Sequence, residues 1–207
     1  VLALSAKRIV LASGASEVVN LSAVVGGQSI VFDGRSAASL TVSSAADLLL
    51  QDVDGNGFSL SGGATHNVTG TAAGAITVSS KVEAGGSISL SAAGGDLRVN
   101  GRIDPASVSL SSSDDVVIGV DVLATDSITV TAGTDGTGGI ELKAGGSLKV
   151  DNASDTAVID LRTGSTSGSI VLAGTTNSDA TVRMSSAAGS INGAGQITAS
   201  TVDLDSG

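Results

Sequence analysis

The chain has 207 residues, 20 acidic against 10 basic, with 29 glycines, one proline, two phenylalanines and no cysteine, tryptophan or tyrosine. A formal net charge of −10, with the basic residues scattered singly, excludes the clustered Lys and Arg that nucleic-acid phosphates require. The 41% hydrophobic content excludes a disordered chain, and no stretch approaches the apolar length of a membrane-spanning helix.

From the N-terminus onward one small event recurs: an apolar residue, a spacer, a second apolar residue, then Gly, Ser, Ala or Asp. Taken alternately, these triplets form two ladders, each with a step of about 20 residues. The first runs Ile9, Ile30, Leu48, Val68, Ile88, Val108, Ile128, Leu148, Ile170 and Ile191. The second runs Val19, Leu40, Phe58, Ile76, Leu97, Val116, Ile140, Ile159, Val182 and Val202, with a wider scatter about the same step. A third, weaker series, Val82, Ile103 and Val122, keeps the same spacing in part of the chain.

The local period of two places both apolar residues of a triplet on one face of a strand and the spacer on the other. The spacers are mostly polar, as at Asn20, Thr41, Ser89, Arg98, Ser109, Thr129, Glu141, Lys149 and Asp160. A sustained helical period is absent, and Gly-Gly pairs interrupt every candidate helix. Strands this short are stable only when stacked at a fixed period. The expected fold is all-β: a single-stranded parallel β-helix (β-solenoid), three-sided with one side short or irregular. It has about ten coils of ~20 residues and forms one solenoid domain over residues 1–207. The glycines of Gly85-Gly86, Gly94-Gly95 and Gly145-Gly146 are expected to supply turn conformations at the corners.

The chain-order reading also yields candidate sites. Val10, Val31 and Leu49 fall at spacer positions of three successive triplets and would form an exposed aliphatic stripe, an interaction surface. Asp52, Asp54 and Asn56, followed by Gly57, resemble the first half of a calcium-binding loop, but no closing Glu follows. A Gly-rich turn feeding Phe58 is the simpler reading, so no cofactor is expected, with Ca²⁺ as the alternative. His66 has no ligand-spaced neighbour and reads as a surface residue. Asn20, Asn67 and Asn152 open Asn-x-Ser/Thr triplets, to which no role is given.

Further on, Asp114-Asp115 offers paired carboxylates without basic or aromatic partners, which reads as a solvated turn rather than a catalytic pair. No Gly-x-Ser-x-Gly elbow with a His partner occurs, and no enzymatic activity is expected. Thr129-Val130-Thr131 suggests an ice-binding threonine array, a reading set aside because the neighbouring spacers of its ladder are mixed. The longer steps place loops at Thr134–Gly139, Thr163–Gly168 and Gly174–Asp179. Val202 and Leu204 carry the pattern almost to Gly207 with no capping helix, so the expectation is a slice of a longer solenoid or a stacking subunit.

The stretch Gly85-Gly86-Ser87-Ile88-Ser89-Leu90, continuing to Gly94-Gly95-Asp96-Leu97-Arg98-Val99-Asn100-Gly101, resembles the repeats of filamentous-haemagglutinin-type exoproteins of the two-partner secretion class. The cadence returns at Gly145–Val150 and Gly168–Leu172. The resemblance implies a right-handed helix, a bacterial cell-surface or extracellular location and an adhesive shaft. It brings no catalytic residues. Partners implied are further copies or chains of the same fibre and cell-surface glycans, with no membrane insertion. The alternative is a β-helix that binds or modifies carbohydrate.

Overall fold

The computed structural model describes residues 2–3, 18–23, 30–32, 39–44, 46–51, 58–60, 66–152, 156–164 and 166–207, with side chains from residue 41 onward except 58–60. Among these the chain is all strand and turn. Three parallel sheets of ten, eight and seven strands wrap one core, forming a three-sided parallel β-helix. A regular coil reads Ser87–Ala92, Leu97–Val99, Ile103–Asp104, and the next begins at Ser107–Ser112. The first strand of each coil builds the long face, and the other two build the second and third faces.

Registers are strict. On the long face Val68, Ile88, Val108 and Ile128 stand side by side, followed by Ile159 and Val182. All six are at most 2% exposed, so each coil adds aliphatic area worth about 1.5–3 kcal/mol per fully buried side chain. The alternation apolar-in, polar-out gives Ser87–Ala92 its burial pattern and pins the register, because a one-residue slip would turn every Ile and Leu outward. At Gly70 a side chain is missing from the inner column. Leu90 and Leu48 fill the space, their methyl carbons 2.8 and 3.0 Å from where a Cβ would lie.

The two sequence ladders hold in the middle of the chain and cross between faces elsewhere. Leu48 belongs to the second face, between Ile30 and Ile76, while Leu40 pairs with Val68 on the long face. Leu148 stands on the third face beside Val122, and the long face passes from Ile128 to Ile159. The reason is coil length. The coils from Leu40 to Val68 and from Ile128 to Ile159 are about half as long again as a regular one, so a fixed step slides onto a neighbouring strand.

The third side is short, as expected, with strands of two to four residues such as Ile103–Asp104, yet it runs as one continuous sheet. Val82, Ile103 and Val122 are the middle of a seven-strand sheet that also holds Phe58, Leu148, Thr176 and Ile197. Gly174–Asp179, expected as a loop, carries the strand Thr175–Ser178 of this sheet. Its inward residues are Thr176 and Ser178, 1% and 2% exposed, so no aliphatic pair marks it.

Of the expected loops, Thr134–Gly139 is turn and bridge as expected, whereas Thr163 closes the strand Val158–Thr163 and Ser167 then bridges to Thr137. The two segments stack as a ridge at the corner between the long and second faces, with Thr166 and Ser167 N–H donating to the Gly136 carbonyl at 2.9 and 3.0 Å. Left-handed backbone, among the described residues, is confined to Gly133, Gly136, Gly138 and Gly168 of this ridge and to Gly193. The regular corner glycines need their small size instead: a Cβ on Gly94 would collide with the Ala73 carbonyl oxygen of the coil below.

Candidate functional site

The strands set which side chains reach solvent. On the long face two outward columns run through five coils: Thr41, Thr69, Ser89, Ser109, Thr129, and beside them Ser43, Thr71, Ser91, Ser111, Thr131. All ten carry a hydroxyl and none a charge. The spacers around Thr129 and Thr131 are mixed, as expected: Ser109 and Ser111 flank them on one side, and Asp160 and Arg162 on the other. From Thr41 to Thr131 the columns hold hydroxyls alone, with Ser and Thr in irregular order, so no continuous threonine array forms.

Beyond Thr129 the same face becomes ionic. Asp160, Arg183 and Asp203 succeed one another in one column, with Arg162, Ser185 and Asp205 in the next. Opposite charges thus meet across strands, which favours this register. Asp160, 9% exposed, accepts from Nε of Arg162 at 3.0 Å and from Nη2 at 2.5 Å. Those hydrogen bonds hold the Arg162 guanidinium above its ordinary pKa, as Asp151 does for the Lys149 ammonium.

The corner before the second face carries a device the sequence reading missed. Side chains there accept backbone N–H groups from the coil above: Asp47 from Ala75 at 2.8 Å, Asp115 from Gly139 at 2.8 Å and Ser169 from Ser190 at 3.2 Å. Asp96 reaches the Asp115 N–H at 3.3 Å, and at another corner Asn67 accepts from Ser87 at 2.7 Å. These bonds carry the sheet ladder through turns where backbone pairing lapses. The available signal was an Asp directly before an apolar triplet, as in Asp96-Leu97 and Asp115-Val116.

Asp114 and Asp115 are both exposed in this turn, and one oxygen of Asp115 is committed to Gly139. Val31 and Leu49 are register partners on the second face, and Leu49 is half-buried. Their column continues Thr77, Arg98, Val117, Glu141, Val171, Asn192, so the apolar stripe stops at Leu49 and apolar residues return only at Val117 and Val171. Val10, Asp52, Asp54 and Asn56 lie outside the described residues.

One groove of about 440 Å³ lies on the second face under the ridge. Val117, Ile140 and Val171 line it with Asp115 and Glu141, and Gly138, Gly139, Gly168 and Ser169 wall it. Among the described residues no group of three His, Asp or Glu side chains is placed to hold a metal ion. Family models, curated proteins and solved structures give no match to the chain.

Proposed function

We infer that this chain is a shaft segment of a bacterial surface or extracellular fibre, of the filamentous-haemagglutinin-like kind, which spans distance and associates through its coil edges and side faces. The observation that carries this reading is the in-register stacking of ten long-face strands over one aliphatic core. Each coil is tied to the next by parallel-strand hydrogen bonds that run along the axis.

Among the described residues the last strand, Thr201–Ser206, continues the long-face stack in register on Thr181–Ser186, with Val202 on Val182 and Leu204 on Met184. The neutral hydroxyl face supports a second reading within reach of the first: adhesion to glycan surfaces, which offer matching donors and acceptors. Single sugars would find no aromatic platform there, since the chain has neither Trp nor Tyr.

Light scattering and negative-stain imaging over a concentration series test the shaft reading. The expected result is rods that lengthen in whole multiples of one chain. Strictly monomeric particles at the highest concentration would overturn it.

A further inference from the structure

The ten outward hydroxyls of the long face are unused by the fold. Inward serines at the ends of the same strands bond to backbone: Ser44 Oγ donates to the Asp47 carbonyl, Ser112 Oγ to that of Gly95 and Ser186 Oγ to that of Gly168. Among the described residues, none of the ten hydroxyls from Thr41 to Thr131 makes a hydrogen bond within the chain. In the same coils the other faces carry charge, Arg98 on the second and Glu83 and Asp104 on the third. In a chain of net charge −10, the hydroxyl face lets two copies approach without setting acid against acid. A hydroxyl both donates and accepts, so these columns are complementary to their own kind.

The ionic end of the face decides how a second copy lies. The ion pairs among the described residues include neither Arg183 nor Asp203 nor Asp205, and all three are exposed. Asp160 and Arg162 pair with each other, yet the Arg162 side chain keeps 59% exposure. A twofold axis along the rod, between the two columns, faces each column with the other column of the second copy. It sets Ser89 against the partner's Ser91 and Asp160 against the partner's Arg162, with Arg183 one coil from the partner's Asp205. An axis through the Ser89 column would instead set Asp160 on the partner's Asp160 and Arg183 on the partner's Arg183. A shift by one coil would set Arg162 on the partner's Arg183. Antiparallel rods with their hydroxyls aligned would leave Asp160 and Arg162 facing the partner's Asn20 and the partner's Ser22. Opposite charges meet only in the parallel, in-register arrangement.

The area suffices for a stable pair. Strands ~4.8 Å apart and ~17–20 Å long, taken over the eight coils from Thr41 to Asp203, cover roughly 600–750 Å² on one copy. A pair would therefore bury roughly 1,200–1,500 Å², the size of a specific interface. We propose that the long face binds a second copy of this chain, the two rods parallel and in register. Facing hydroxyls hold one end, and Asp160, Arg162, Arg183 and Asp205 hold the other. This rests on the shaft reading and adds to it a side-by-side contact that keeps both rods pointing the same way.

The test is sedimentation and negative-stain imaging of the wild-type chain and of charge-reversed variants over a concentration series. The wild type should give rods of double width. Arg183→Glu and Asp205→Arg each set like charges together at two places in the pair, so each alone should dissociate about tenfold more readily. An equimolar mixture of the two restores opposite charges at both places and should pair as the wild type does. Both side chains are exposed and outside the ion pairs of the described residues, so the variants keep the fold. Lys143→Glu, the same charge change beyond the second-face strand Ile140–Leu142, should leave pairing unchanged, whereas Ser109→Lys amid the hydroxyls should weaken it. Rods that lengthen at single width would overturn the pairing and leave the shaft reading standing; single-chain particles throughout would overturn both. Variants that pair as well as the wild type, or a mixture that pairs no better than its components, would also overturn the proposal.

Discussion

Residues 66–130 and residues 131–178 are built on the same three faces and behave as two different solutions to stacking. In the first region successive coils place aliphatic over aliphatic: Ile88 on Val68, Leu97 on Ile76, Ile103 on Val82. In the second, the coil lengthens, the ridge grows from the corner, and the third face turns Thr176 and Ser178 inward. Insertions are tolerated at corners, where only backbone spacing must be respected. The inner columns tolerate even a hydroxyl, as at Ser112, Thr176 and Ser186.

The largest effect should come from breaking the regular region. Leu110, 1% exposed within the long-face column, is surrounded on both sides by aliphatic residues that cannot collapse without moving whole strands. Leu110→Ala should cost about 2–5 kcal/mol in a denaturant titration. A loss below about 1 kcal/mol would mean that the regular coils are no more tightly packed than the inserted ones.

A smaller loss is expected in the ridge. Gly138 has φ of 125° and sits against the Asp114 carbonyl, so Gly138→Ala meets both backbone strain and a collision. The expected cost is about 1–3 kcal/mol, with lost amide protection confined to residues 133–139 and 164–168. Protection lost equally through residues 66–130 would show that the ridge and the regular coils open as one unit.

The smallest effect has the opposite sign. Thr176 Oγ1 is buried without a hydrogen-bond partner, between Leu148 and Ile197 on the third face. Thr176→Val keeps the shape and removes the orphaned hydroxyl, so stability should rise by about 1 kcal/mol in thermal or denaturant unfolding. A loss of stability would mean that the inserted region depends on that hydroxyl.

Much of this architecture was legible because the strand period and the coil period are both written in aliphatic residues. Ile88, Val108 and Ile128 declare their face, their register and their spacing at once. The reading failed where those signals were replaced. Thr176 and Ser178 hide a strand because inward polar residues look like a loop. The two long coils, Leu40 to Val68 and Ile128 to Ile159, shifted the ladders onto the wrong faces, since a step count contains no record of which strand of a coil it lands on. The hydroxyl column Thr69, Ser89, Ser109, Thr129 was legible in the evenly spaced part of the ladder, and only its extension to Thr41 needed the sheet register. The groove could not be anticipated at all: Asp115, Glu141 and Val171 are brought together only by the stacking of three coils.

The near-constant sequence distance between stacked strands has a kinetic consequence. Val68, Ile88, Val108 and Ile128 follow one another at equal intervals, so every docking event among them closes a loop of the same size. The entropic toll of closure grows only with the logarithm of loop length. Even the long coil from Ile128 to Ile159 adds only about 0.4 kcal/mol over a regular one. A chain of this kind can therefore zip from one coil to the next at a nearly uniform pace. Lengthening the rod would lengthen the time to completion in proportion, without raising the barrier at any single step.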